Sequence, residues 1–425
     1  MKAFLPFLLI FSSSLLRAED WPRFRGPQGN GVSQDAKVAL SWSEKKNIKW
    51  KLALPGPGSS SPITSGDHIF LTCYSGYGTN PSDVENISAL KRHLLCIERG
   101  TGKLIWEKQV KATQPEDPFR GYLTEHGYAS HTPVTDGKTV FVFYGKSGAL
   151  AYDAKTGKEL WRTPLGKSSS SRRWGSASSP ILYKDTVIIN ASDESETLFA
   201  LNKATGKVAW KVKAGGIALT FGTPGIVRSG EREDLVIAAP YEIWGMNPDK
   251  GTLRWFCEIP MDGNVSPSIL ADKGVIYAFG GYRTRGSVAV RSGGSEDVTK
   301  SHLVWKTRTS SYVPSPVLHD GHLYWMDDRG NAFCSEAKTG KVVYEKEIIG
   351  PSRDRPVYAS PVLANGRIYC VTRKRGTYVF AAQPRFKELA NNRIANDESD
   401  FNASPAISDG QMFIRSNRFL YCIEE

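Results

Sequence analysis

Several things are scarce in this chain of 425 residues, and each scarcity removes a class of protein. Apart from an apolar run from Ala3 to Leu16, no stretch approaches the roughly 20 apolar residues of a spanning helix. No glycine-rich phosphate loop leads into a helix, and no serine-nucleophile elbow occurs, so neither nucleotide transfer nor α/β-type ester hydrolysis has its motif. Lys/Arg blocks are short (Lys45-Lys46, Arg172-Arg173, Arg373-Lys374-Arg375) and broken by acids. A formal charge of +12 therefore carries no nucleic-acid stripe, and no nucleic-acid partner is expected. Histidine pairs are few: His126 and His131 share a loop and His319 and His322 a turn, and neither pair has persuasive metal spacing.

The 40 Gly, 24 Pro and 46 aromatic residues point instead to many short strands joined by turns. At the start, Met1-Lys2, the apolar run and Leu16-Arg17-Ala18 have the charge, length and small residue of a secretory leader. Cleavage is expected after Ala18, which gives an exported protein, periplasmic or secreted, whose mature charge is +10. No cysteine stands at that junction to take a lipid. The six cysteines (73, 96, 257, 334, 370 and 422) could form up to three disulfides. Three of them share one repeat position with Ala151, Ala200 and Gly245, so free thiols in a small buried slot are expected.

A Ser/Thr-Pro pair recurs at Pro62, 133, 180, 224, 267, 316, 361 and 405, at intervals of 71, 47, 44, 43, 49, 45 and 44. A period near 45 is a repeat architecture. Each unit continues with a hairpin over a turn such as Asp136-Gly137, Asp320-Gly321, Asn365-Gly366 or Asp409-Gly410. A second hairpin follows, as in Asp153-Ala-Lys-Thr-Gly157-Lys-Glu-Leu-Trp161, with counterparts ending at Trp106, Trp210, Trp255 and Tyr344. The polar residue can cap the turn, glycine takes the left-handed position, and the aromatic lands at a fixed point on the last strand. Four strands per unit predict an all-β, eight-bladed propeller of four-stranded antiparallel blades, with the aromatics wedged between blades. The eighth unit stops after three strands. The segment 47–54, containing Trp50, supplies the missing one, so an N-terminal strand closes the last blade.

The phrase Ala/Cys-x-[Asp/Asn/Glu]-x-x-Thr-Gly-Lys-x-x-Trp with Ser-Pro strand starts resembles the repeat of the PQQ-like (pyrroloquinoline quinone, quinoprotein/BamB-type) β-propeller superfamily. The resemblance covers residues 47–425, after a 1–18 signal peptide and a 19–46 N-terminal loop segment that should pack on the propeller. It implies the eight-bladed fold. For function it implies either a cofactor-free binding or scaffold protein of the bacterial envelope, as in BamB, or a PQQ- and calcium-dependent dehydrogenase of alcohols or sugars.

The default ligand site of a propeller is the face where blade-to-blade loops surround the channel. The candidate rim there is Arg120, Tyr128, His131, Arg173, Trp174, Arg283, Arg285, Arg308, Arg355, Tyr358 and Asp400. Arginines with aromatics suit an envelope protein, an acidic ligand or a carbohydrate bearing carboxylates. Trp174 or Trp244 could stack a quinone, and Asp262, Asn264, Asp327 or Asp400 could offer oxygens to calcium. The chain lacks the vicinal Cys-Cys pair and the long insertions of the quinoprotein alcohol dehydrogenases, so no cofactor is expected and a non-catalytic monomer is the favoured reading. A polysaccharide-active enzyme using His131, Tyr128 and an arginine is the third alternative.

Overall fold

The computed structural model describes residues 19–80, 86–350 and 354–425; the leader expected over 1–18 lies outside them. Eight separate sheets follow one another around a central channel. Blade 1 shows the plan: strands Ile63–Ser65, His68–Ser75, Lys91–Glu98 and Leu104–Lys111 pair antiparallel in sequence order, from the channel outward. Blades 2 to 7 occupy 134–163, 181–213, 225–258, 270–307, 317–347 and 362–392. Blade 8 runs Ala406–Ser408, Gln411–Arg415 and Phe419–Ile423, and its outermost strand is Ile48–Ala53, with Trp50 opposite Cys422. The N-terminal strand therefore closes the ring. Closure leaves no sheet open at the junction of the two ends.

Both faces of each blade are covered by its neighbours, so the second and third strands read as continuous apolar runs rather than alternating ones. Ile63, Phe70, Leu94 and Cys96 of blade 1, for instance, share one core with Val140, Val142 and Leu150 of blade 2. The repeated tryptophans join blades at the outside. The indole N–H of Trp50, Trp106, Trp161, Trp210 and Trp305 donates to a turn carbonyl of the following blade, at Arg99, Ala154, Lys203, Pro248 and Ala337. Each ring lies on that turn's glycine, at φ between 67° and 74°, and a β-carbon at Gly206 would sit 2.6 Å from Trp161. Glycine is demanded there twice, by the left-handed backbone and by the ring. Opposite each aromatic stands a small residue, Cys96 facing Trp106 and Ala200 facing Trp210. All six cysteines are free and buried, and Cys96, Cys334 and Cys422 occupy that slot.

Trp255 departs from the pattern. It turns back into its own blade over Gly245 and donates to Asp234 at 2.8 Å. A short parallel strand, Glu296–Asp297, adds to the outside of blade 4.

Around the channel, each innermost strand begins with a hydroxyl that accepts the backbone N–H of the preceding blade. The series runs Ser61 to Thr132, Ser179, Thr223, Ser268, Ser315, Ser360 and Ser404, at 2.9 to 3.1 Å. In blade 5 the position belongs to Ser268, not to Ser266 of the Ser266-Pro267 pair, which corrects the register read from the prolines. The uneven intervals of 43 and 49 were its trace. At the seam between blades 8 and 1, fully buried Arg415 takes over, donating to the carbonyls of Ser60 and Thr72 at 3.3 and 2.7 Å.

Residues 19–46 form no strand longer than isolated bridges and run as a strap across the face bearing the first hairpin turns. Trp21 pairs with Thr64 of blade 1, Pro22 accepts from Thr135 of blade 2, Gly31 and Ser33 bond Leu363 of blade 7, and Asp35 accepts from Gly410 of blade 8. Arg25 reaches Pro316 of blade 6. Trp42 ends the strap, stacked on Tyr369.

Candidate functional site

The strap puts Phe24 into the channel from below. Above it remains a cavity of about 180 Å³, with the hydroxyls of Ser179, Thr223, Ser268, Ser315, Ser360 and Ser404 around its waist. Each of these oxygens already accepts one backbone N–H, so its own proton is free to donate inward. The upper wall is aromatic: Tyr122, Trp174, Phe221, Tyr312 and Tyr358.

These rings are held by loops between blades. The loop 112–133 contains a helical turn, Leu123–His126, packed on a small core of Tyr74, Tyr77, Leu90 and Tyr128. His126 is pushed below its ordinary pKa, chiefly by burial, and is neutral. Its Nε2 faces the Trp174 carbonyl oxygen at 2.8 Å and so carries the proton, while Nδ1 accepts from Ser130 at 2.5 Å. That bond ties the Trp174 loop to the loop before it. Trp174 meets Tyr122 edge-on at 4.5 Å.

Charged groups buttress the collar. The Arg355 guanidinium lies 4.3 Å from the Tyr312 ring centre and 5.3 Å from that of Tyr122, and Arg285 lies 5.0 Å from Tyr312. Buried Asp328 stands within 3.5 Å of Arg285 and 3.8 Å of Arg355. Arg373 bridges Glu125 at 2.6 Å and Asp400 at 2.7 Å and stacks against Tyr358.

Of the eleven residues expected at the rim, the structure thus gathers Trp174, Arg285, Arg355, Tyr358 and Asp400 on or just behind the collar. Arg120, Arg173, Arg283 and Arg308 are exposed on the loops around it. Tyr128 and His131 are not at the rim. Tyr128 is buried and donates to the Asp117 carbonyl at 2.6 Å, pulled inward by the aromatic cluster of its own loop. His131 is buried between blades 2 and 3, and its pKa is pushed down to about 3 by burial first and then by Arg92. Trp244 lies off the channel, bonded to Glu242. Tyr122, Glu125, Asn402 and Phe24 were missed from sequence; the first two sit in the same loop as Arg120 and His126, and that adjacency was their one signal.

Below the rim, His131 faces Ser176 at 3.0 Å and Ser176 donates to Glu194 at 2.5 Å. The serine stands between acid and histidine, whereas a triad places the histidine between the acid and the serine. Burial first, then Asp193, raises Glu194 to about 8; Asp193 itself is raised to about 7 by burial. Arg92 with Glu116 at 2.6 Å and Lys146 with Asp117 at 3.0 Å complete this buried group.

Most of the oxygens expected to serve a quinone with its calcium are engaged elsewhere, although the buried Oδ1 atoms of Asp328, Asp400 and Asn402 have no hydrogen-bond partner. Asp262 is spent on the backbone N–H groups of Arg283 and Thr284, and Asp327 on those of Arg329 and Asn331. Asn264 accepts from Tyr312, and Asp400 is held by Arg373. No group of three His, Cys, Asp or Glu converges as a metal site among the described residues.

A family model described as outer membrane protein assembly factor BamB matches residues 90–346 and 300–385. Among curated relatives, the chain is 25% identical to the outer membrane protein assembly factor BamB of Yersinia pestis over 267 residues, 57% of this chain and 62% of that one. It is 22% identical to the tetrathionate hydrolase of Acidithiobacillus ferrooxidans over 373 residues, 84% of this chain and 62% of that one. The chain therefore spans about three fifths of the length of these relatives. Among solved structures, BamB from Moraxella catarrhalis superposes with a TM-score of 0.62 at 13% identity, covering 89% of this chain and 97% of that one. Quinohemoprotein alcohol dehydrogenase from Comamonas testosteroni gives 0.62 at 11% identity, covering 95% and 80%. At such identities the superpositions speak to the fold alone. No helix of the described residues is long and apolar enough to cross a membrane.

Proposed function

The chain belongs to the family described as outer membrane protein assembly factor BamB, and from that premise we propose that it is a non-catalytic binding or scaffold protein of the bacterial envelope. In this reading it is exported by the leader before Glu19, works as a monomer without a cofactor, and takes its ligand at the aromatic collar. The observation that carries the reading is that the acids at the mouth are paired with arginines and its histidine is held by neighbouring loops. Glu125 and Asp400 belong to Arg373, Asp328 to Arg285 and Arg355, and His126 to Ser130 and Trp174. What the mouth offers freely is ring surface and the exposed cations Arg120, Arg173, Arg283 and Arg308. Such a surface favours an extended acidic segment of an envelope protein, or a carboxylate-bearing carbohydrate, through stacking and charge rather than through chemistry.

The test is calorimetric titration with an acidic peptide and with oligogalacturonate. Saturable binding is expected, weakened at least tenfold in Trp174→Ala and made less salt-dependent when Arg173, Arg283 and Arg355 are replaced together by Ala. Dye-linked oxidation of alcohols or aldoses after loading with PQQ and calcium would replace this reading with that of a dehydrogenase. Titrations with no response to either probe would also sink it.

A further inference from the structure

The strap carries two guanidinium groups that no described carboxylate answers. Arg25 is 1% exposed; its Nη2 donates to the carbonyls of Asn30 and Pro316, and its Nε and Nη1 have no partner. Arg23 lies across Gly29, where a β-carbon would meet its Nη2 at 1.9 Å, and its buried Nε is also without a partner. Burial alone lowers Arg23 to about 10 and Arg25 to about 9, with no counter-charge acting on either. A buried cation left unpaired is costly, and the fold keeps two in one turn of chain.

Arg23 opens on a crevice of about 850 Å³ on the strap side, opposite the aromatic mouth, between the inner hairpins of blades 4 and 5. The strap bonds blades 1, 2, 6, 7 and 8 and leaves this arc bare. The remaining charged walls are Arg228, Lys273 and Arg291 against one acid, Asp272. Arg228 has only a peripheral pair with Glu233 at 3.4 Å, and Arg291 donates to the Ser301 carbonyl at 3.4 Å, so both retain free N–H groups. Ser292 adds a buried hydroxyl without a partner. Phe24 lines both this crevice and the channel cavity and keeps the two apart.

We propose that this crevice is a second binding site, for a phosphate-type oxyanion carried as an ester, with Arg23 as the fork and Arg228 and Arg291 as flanking cations. The planar fork matches an oxyanion in a bidentate way, and cations on opposite walls suit a group with charge on several oxygens. The volume exceeds that of a bare anion, so the rest of the ester lies along the groove between blades 4 and 5.

Calorimetric titration of the full chain with inorganic phosphate and with glycerol phosphate, at constant ionic strength, tests the site. Saturable binding is expected, weakened at least tenfold in Arg23→Ala and at least threefold in Arg23→Lys and Arg291→Ala. Lys211→Ala, on the outer strand of blade 3, should match the parent. Arg291 lies outside the strap, so its variant carries the test if Arg23→Ala loosens the strap. Vesicles containing phosphatidylglycerol, set against phosphatidylcholine alone, separate the sources of the ester. Capture that free phosphate relieves and that Arg291→Ala loses assigns a lipid headgroup, whereas titration without capture assigns a soluble ester. Heats no larger than those of sodium chloride together with no vesicle capture, or binding unchanged in both Arg23→Ala and Arg291→Ala, would overturn the proposal.

Discussion

Replacing Gly206 by alanine tests the joint between blades 2 and 3 at its tightest point. Gly206 has φ +70°, and a β-carbon there would stand 2.6 Å from Cδ2 and 2.7 Å from Cε3 of Trp161, a ring fixed by its 2.7 Å bond to the Lys203 carbonyl. Two costs add. The left-handed backbone costs an alanine about 1 to 2 kcal/mol, and forcing a methyl against a packed ring costs about 1 to 3 kcal/mol. Gly366 provides the reference, because it has φ +65° but nothing within 4 Å of its would-be β-carbon. Gly366→Ala should therefore lose only the backbone share, about 1 to 2 kcal/mol, and Gly206→Ala about 2 to 5 kcal/mol. Urea unfolding followed by tryptophan fluorescence measures both. Equal losses would refute the claim that the ring adds its own demand for glycine to that of the turn conformation.

Three further perturbations follow from buried polar groups. Glu194 keeps its proton up to about pH 8 in the fold and an unfolded glutamate only to about pH 4.3, so the native chain holds the extra proton between those values and its stability falls as pH rises through them. Glu194→Gln should remove that slope and gain on the parent from pH 5 to 8; a parent-to-variant difference constant across that range would contradict the assignment. Arg415→Met strands the Ser60 carbonyl at the seam and leaves that of Thr72 only the Ser60 hydroxyl, so it should cost about 1 to 3 kcal/mol, and an undiminished stability would count against Arg415 as the seam's fastener. The six thiols should resist a disulfide-exchange reagent in buffer and all react in denaturant; rapid titration of even one in buffer would show its slot to be open.

Much of the fold was legible because its main contacts repeat. Each repeat's second hairpin carries a turn glycine that receives the preceding blade's ring and, four residues on, an aromatic of its own, and this pattern survives in the sequence at Gly102, Gly157, Gly206, Gly251 and Gly340. The closing strand was legible by the same count. Where contacts do not repeat, the sequence was silent. Ser268 shows this for register, because Pro267 imitated a strand start two residues early. Tyr128 and His131 share a loop with true collar residues, but Tyr128 turns into the cluster around Leu123 and His131 packs against Phe143 of blade 2. Phe24 and Arg25 act on partners distant in the chain, the Pro316 carbonyl lying 291 residues from Arg25, and no local pattern announces that.

Blade 8 is made from the two extremities of the chain, and Lys49 meets Glu424 across 375 residues. The consequence is one of timing. Seven sheets can form as the polypeptide emerges, but the circle cannot lock until its last strand has arrived, so completion is a late event in the life of each molecule. A pairing so remote in sequence is slow to find. Until it is found, the apolar flanks of blades 1 and 8 stay uncovered, and the interval before locking is when the protein is most exposed to aggregation or to proteolysis.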